Sequence, residues 1–206
     1  MDSRRALLEA TKQLVSTQGY QATSPRDVQR ACGVGQGSFY HHFGSKADLF
    51  ASALDELSAE MRAQLDAALD TADDGLGKLS AYLAIRRDAL AGCRIGRLAL
   101  EEVVFQDELR GPVTDYFDHV AERLTHAAKQ AGDAGQLPSE IDPAALAALA
   151  AATVQGGYVL ARATHDPGRL ELALSGLQSL LAALATTANP TASKPSRKTR
   201  RGEPKS

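Results

Sequence analysis

The chain contains no tryptophan, two cysteines and two methionines, and aromatic residues fill only 5% of its 206 positions. Two cysteines, Cys32 and Cys93, do not make a disulfide framework, so a reducing cytoplasm is the expected location. The five histidines, at 41, 42, 119, 126 and 165, show neither metal-ligand nor catalytic-triad spacing. His119 and His126 lie seven positions apart on one expected helix, about two turns, too far to chelate one ion. No enzyme, metal or cofactor is therefore expected. No uninterrupted run of 18 apolar residues occurs and the N-terminus lacks an apolar signal core, so neither a membrane span nor secretion is expected. Runs of β-branched residues are scarce, whereas Ala, Leu, Glu, Asp and Arg abound, which predicts an all-α fold.

The net charge of −2 conceals an asymmetry. Residues 1–49 carry six Lys/Arg against four Asp/Glu, residues 50–185 carry 11 against 20, and residues 186–206 carry six against one. An acidic body with basic ends would repel a polyanion everywhere except where those ends present themselves. The C-terminal stretch NPTASKPSRKTRRGEPKS lacks an apolar period and reads as a disordered basic tail, either adding non-specific DNA affinity or solubilising the chain.

The stretch Thr23–Phe50 reads as two short helices joined by a glycine turn, followed by the start of a third. Thr23 or Ser24 can cap the first, and Pro25 fits its first turn. Val28, Ala31 and Cys32 form a small apolar face, and Gly33 ends the helix. Gly35 or Gln36 opens the next helix, in which Phe39 and Phe43 point inward while Gln36, Gly37, Ser38, Tyr40, His41 and His42 line the outside. Ser45-Lys46-Ala47-Asp48 is a capping-box-like start for the third. Lys46 stands at that start against the helix dipole, a placement that a nearby phosphate would favour. This is the pattern of a helix-turn-helix entering a DNA major groove.

Residues 33–50, GVGQGSFYHHFGSKADLF, resemble the tetracycline-repressor (TetR) family, whose signature runs G-V-S-x-G-x-(L/F)-Y-x-(H/Y)-F-x-(S/N)-K-x-x-L. Gly35 stands where serine is usual, so a side-chain phosphate contact is lost there. The resemblance implies a dimeric, ligand-responsive DNA-binding regulator, usually a repressor, with an N-terminal three-helix helix-turn-helix domain and a C-terminal helical ligand-binding and dimerisation domain. The expected domains are 1–49 for DNA binding, 50–187 for effector binding and dimerisation, and 188–206 for the tail. Expected DNA contacts are Gln36, Gly37, Ser38, Tyr40 and His41, with Thr23, Arg26, His42 and Lys46 clamping phosphates.

Helices are expected at 3–18, from 46 to 69, and at 76–91, 95–108, 112–131, 143–165 and 168–187. Ala144–Ala163, AALAALAAATVQGGYVLARA, is lined with small residues and leucine and almost free of charge, which suggests association. Leu170, Leu172, Leu174, Leu177, Leu180, Leu181 and Leu184 mark the neighbouring stripe. By resemblance, two such helices from each subunit build a homodimer, placing two recognition helices about 34–36 Å apart on a palindromic operator. Effector contacts are expected from Tyr82, Ile85, Leu98, Glu101, Phe105, Tyr116, Phe117, Gln155 and Tyr158, a set suited to a mostly apolar small molecule. Arg86, Arg87, Arg94 and Arg97 either point to an anionic ligand or, as the favoured expectation, form a solvated face pairing with Asp88, Glu101 and Glu102. Gly92–Glu101 resembles a G-C-x-x-G-x-L-A-x-E segment found in some branches, where such a cysteine senses electrophiles. Cys93 is thus either a thiol sensor or a small residue filling a helix start. A constitutive DNA-binding protein controlled by a protein partner is the remaining alternative.

Overall fold

The computed structural model describes residues 2–105 and 107–188, so the expected tail lies almost wholly outside the described residues. Among the described residues there are eight α-helices and no strand. α1 (Ser3–Gln18), α2 (Pro25–Cys32) and α3 (Gln36–His42) form the head, and α4 (Lys46–Leu69) runs from the head into the body. The body adds α5 (Gly75–Ala84), α6 (Asp107–Asp133), α7 (Pro143–Thr164) and α8 (Gly168–Ala188).

Local chemistry sets the head's boundaries. Ser24 caps α2 in a complete capping box with Asp27, and Pro25 occupies the first turn. Gly33 then adopts φ 70°, a left-handed conformation that glycine takes without a Cβ penalty. Ser45 Oγ accepts the Asp48 N–H at 3.0 Å, while the Asp48 carboxylate turns back to the Gly44 N–H at 2.9 Å. Val28 is the only buried residue of α2; Ala31 is exposed and Cys32 half-buried, so the α2 inner face is narrower than its spacing predicts.

Two large apolar clusters carry most of the packing, and a small third one joins Ala89, Ala161 and Leu170. The first joins Leu7, Leu8 and Val15 of α1 and Phe39 of α3 to Phe50 and Leu54 of α4. It extends to Cys93, Ile95, Leu98, Leu109 and Val113 of the body. The second fills the body between α4, α5, α6, α7 and α8. Head and upper body therefore share one core across residue 49.

Between α5 and α6 the chain departs from expectation. α5 stops at Ala84, where Arg87 donates to the carbonyls of Tyr82, Leu83 and Ile85 and so satisfies the orphaned acceptors of the helix end. The helix expected at 95–108 is instead two short 3₁₀ turns, Gly96–Leu100 and Glu102–Phe105. Cys93 Sγ accepts the Gly96 N–H at the start of this segment, in competition with a regular ladder, while the Glu101 side chain is drawn to the Tyr20 and Gln21 N–H groups of the head. α6 begins at Asp107 and carries Pro112 inside its second turn, a site predicted as a break. Burial of Leu109, Pro112 and Val113 offsets the lost hydrogen bond.

α7 and α8 pack on each other at close range: a Cβ at Gly157 would meet Leu170 Cδ1 at 2.5 Å. Although no uninterrupted apolar run exists, both helices are long and apolar enough to cross a bilayer by length and composition. Their outward sides leave Leu149, Val159, Leu160, Leu172 and Leu180 at least half exposed.

Candidate functional site

The head presents α3 as an outward ridge. Phe39 and Phe43 are buried, 1% and 2% exposed, which anchors the helix to α1 and α4. Gln36, Gly37, Tyr40 and His41 are exposed on the other side, and Ser38 and His42 are half-buried. Tyr40 stacks edge-on against Phe39 at 5.0 Å, which fixes the base of its ring while leaving the hydroxyl in solvent. Nothing lies within 4 Å of a Cβ placed on Gly35 or Gly37, so the ridge offers bare backbone to whatever approaches. Arg26 is exposed at the start of α2.

Two of the expected phosphate clamps are turned inward. Thr23 is fully buried; its hydroxyl donates to the Gly19 carbonyl at 2.6 Å and accepts from Gln18 Nε2. Thr23 thus closes the α1–α2 turn and is corrected from a surface contact to an internal one. Lys46 donates to the Tyr20 carbonyl at 2.9 Å, with its ammonium 3.9 Å from the centre of the Tyr20 ring. Burial lowers its pKa below the usual lysine value, and the charge of Glu101 partly counters that.

In the body, a cavity of about 400 Å³ is lined by Cys93, Arg97, Leu100, Phe117, Gln155, Tyr158, Val159 and Arg162, among others. A second, of about 300 Å³, lies behind it against Tyr82, Ile85, Arg87, Tyr116 and Met61. Cys93, Gln155 and Tyr158 belong to both walls. Cys93 is buried and its sulfur accepts the Gly96 N–H at 3.2 Å. Desolvation raises the tyrosine pKa values, to about 12 for Tyr82 and Tyr158 and further for Tyr116, so all three remain neutral donors at ordinary pH.

The model of bacterial regulatory proteins of the tetR family matches residues 7–53, and that of the tetracyclin repressor-like C-terminal domain matches residues 75–177. The chain belongs to the TetR family. An HTH-type transcriptional regulator of Mycobacterium tuberculosis is 30% identical over 87% of this chain and 94% of its own. The HTH-type transcriptional repressor DhaR of a Mycobacterium species is 26% identical over 76% of this chain and 80% of its own. The crystal structure of a TetR transcriptional regulator from Chloroflexus aurantiacus superposes with a TM-score of 0.79. It is 26% identical and covers 87% of this chain and 93% of the other. These relatives are transcriptional regulators, and the TetR chain is accordingly a DNA-binding regulator rather than an enzyme.

Within this TetR fold the predicted effector residues divide. Cys93, Phe117, Gln155 and Tyr158 meet at the larger cavity, and Tyr82, Ile85 and Tyr116 at the smaller. Leu98 is fully buried in the core shared with the head, and Phe105 is 83% exposed. Glu101 turns away from both cavities: its carboxylate accepts the Tyr20 N–H at 3.2 Å and the Gln21 N–H at 2.9 Å. These three are corrected because the 96–105 segment is not the helix whose inner face would have carried them.

Three of the four arginines are corrected from a solvated face to internal bonds, whereas Arg86 is exposed as expected. Arg87 closes α5, Arg94 donates to Ser16 Oγ at 3.3 Å, and Arg97 donates to the Thr17 and Ala91 carbonyls. Sequence reasoning missed Arg162, which donates to Ala91 as well. The only signal for it was a lone cation on an otherwise apolar helix.

Sequence reasoning also missed a buried cation in the head. Lys12, 2% exposed, bonds Glu9, Glu56 and Glu60 at 2.9, 3.2 and 2.5 Å. Those three carboxylates could hold a metal ion by spacing alone, but the ammonium already sits among them. Burial disfavours its charge, yet the bonds to Glu60, Glu9 and Glu56 outweigh this and raise its pKa above the usual value.

Proposed function

We propose that this TetR regulator is a cytoplasmic, ligand-gated repressor that binds a palindromic operator as a homodimer. The observation that carries the reading is the outer face of α3, where Gln36, Gly37, Tyr40 and His41 are exposed on a helix anchored by buried Phe39 and Phe43. Gln36 suits an adenine edge or a phosphate, Tyr40 a base or sugar contact, and Arg26 and His42 phosphates. Lys46 can join them only by leaving the Tyr20 carbonyl. The bare leucines of α7 and α8 support pairing, since large exposed apolar faces favour association. A two-fold pair would set two α3 helices on successive major grooves, about 34–36 Å apart.

The gate is the cavity beside Cys93, whose wall is continuous with the segment bonded to α1 through Arg94 and Arg97. In the electrophile-sensing alternative, the Cys93 sulfur would add to the carbonyl carbon of a reactive carbonyl compound in that same cavity, with the thiol proton passing to the carbonyl oxygen. Release of operator from wild type but not from Cys93→Ser would assign the gate to the thiol.

The test of DNA binding begins with duplexes selected from a random pool. Tyr40→Ala should weaken binding of the selected duplex about 5- to 100-fold while the protein stays folded and dimeric. Unchanged affinity, or failure to select any duplex, would refute the α3 assignment.

A further inference from the structure

The larger cavity gathers two positive charges and no carboxylate. Arg97 Nη2 and Arg162 Nη1 both donate to one acceptor, the Ala91 carbonyl, each at 3.0 Å. Two guanidiniums therefore converge on a single backbone oxygen, which carries no net charge and neutralises neither of them. Arg97 Nε is also buried without a hydrogen-bond partner. Among the described residues neither arginine has a carboxylate within ion-pair distance. The nearby acids are committed elsewhere: Glu101 to the Tyr20 and Gln21 N–H groups, and Asp88 to those of Leu90 and Ala91.

We propose that the effector is a small organic carboxylate with an apolar body, held by Arg97 and Arg162. The proposal rests on the reading of this cavity as the effector site. A carboxylate offers two acceptor oxygens in the plane of a guanidinium fork, so it can take the free donors of the exposed Arg162. It can also reach Arg97 Nε, which is closed to solvent where it stands, once Arg97 turns from Thr17 toward the cavity. Burial, followed by the charge of Arg162, lowers the Arg97 pKa, and the charge of Glu101 offsets this only in part. An arginine nevertheless keeps its proton, so the strain is relieved by an anion and not by deprotonation. The remaining wall, Leu100, Phe117 and Val159, suits a hydrocarbon or aromatic body rather than an inorganic ion. At about 400 Å³ the space is at the small end of ligand sites.

The same arginine reaches the head. Arg97 Nη1 donates to the carbonyl of Thr17 in the last turn of α1, so an anion drawn to Nε competes for the residue that ties the cavity wall to α1.

The test is calorimetric titration of the full-length protein with hexanoate and benzoate, their primary amides, and sulfate. At least one carboxylate should bind, its amide at least about tenfold more weakly, as expected for loss of a charge-assisted bond. Arg162→Gln, at an exposed position, should weaken the carboxylate about tenfold or more with an unchanged melting temperature. No carboxylate binding, equal binding of acid and amide, indifference to Arg162→Gln, or sulfate binding as tightly as the acids would each overturn the proposal. Operator release is read separately by fluorescence anisotropy. A carboxylate that binds through Arg162 but leaves the operator bound supports the anion site and refutes gating. A neutral compound that releases wild type and Arg162→Gln alike supports gating and overturns the anion site.

Discussion

Replacing Lys12 tests what holds the head onto α4. Its ammonium is buried among Glu9 of α1 and Glu56 and Glu60 of α4, and its stem runs through the wall between the two helices. Burying four methylenes stabilises the fold by about 3 kcal/mol at ~0.8 kcal/mol each. The ion contacts are a smaller contribution, because the three carboxylates remain 36–48% exposed and can hydrate when the cation is gone. At the scale of solvent-screened pairs the cluster as a whole is worth about 1–2 kcal/mol, against which stands the cost of burying the ammonium. Lys12→Met, which keeps most of the stem, should therefore cost about 1 kcal/mol, and Lys12→Ala about 3–4 kcal/mol.

For a chain of this size those losses correspond to melting shifts of roughly 3 °C and 10 °C. Thermal and urea unfolding at fixed protein concentration measures both, because the proposed pairing would make stability concentration-dependent. Added salt should narrow the gap between Lys12→Met and wild type by screening the freed carboxylates. If Lys12→Met falls as far as Lys12→Ala, charge and not packing holds α1 to α4, and the reasoning is refuted.

Leu160→Glu should leave the monomer folded, since Leu160 is 53% exposed, but shift light-scattering mass from dimer to monomer; an unchanged dimer would exclude this face of α7. Stability should also decline in alkali. Tyr82 and Tyr158 ionise at about 12 in the folded protein and at about 10 when unfolded. Their raised values contribute stability that is complete below pH 10 and is lost as pH rises through 12. Melting temperature against pH, with tyrosinate absorbance recorded alongside, checks this, and Tyr158→Phe should flatten the decline.

The head was legible because its signals are local. Ser24 with Asp27, Pro25, Gly33 and the Phe39–Phe43 pair each fix a boundary or a face within four residues of chain. The long helix from Lys46 to Leu69 was legible for the same reason. Lys12 was not, because its partners on α4 lie 44 and 48 positions away and no hydropathy pattern marks a cation as buried. Glu101 was misplaced for a related reason: its partners at the α1–α2 turn are 80 and 81 positions distant. Once the 96–105 segment is 3₁₀ rather than α, helical spacing no longer says which side chains share a face. Cys93, Phe117, Gln155 and Tyr158 nevertheless converge, because α6 and α7 follow the expected helical period and the cysteine lies in a fixed turn beside them.

Two connectors fix the head, and they differ in kind. α4 grips α1 through the shared core and through Lys12, contacts spread along a regular helix. The 93–101 segment joins that core through Ile95 and Leu98 and adds a few polar bonds at its rim: Arg94 to Ser16, Arg97 to Thr17, and Glu101 to Tyr20 and Gln21. Apolar packing of the first kind resists displacement in every direction, whereas bonds of the second kind are lost over a few tenths of an ångström to an ångström of misalignment. Each such bond is worth only about 1 kcal/mol net, so a ligand of modest affinity can outbid one or two of them. Glu101 also lies close enough to Lys46 to stabilise its charge, and Lys46 is held on Tyr20, the residue whose N–H Glu101 accepts. Moving Glu101 therefore weakens the hold on Lys46, the lysine at the start of α4 proposed to reach DNA. The cavity and that lysine are thus joined through a short run of replaceable polar contacts, while the core keeps the rest of the head in place.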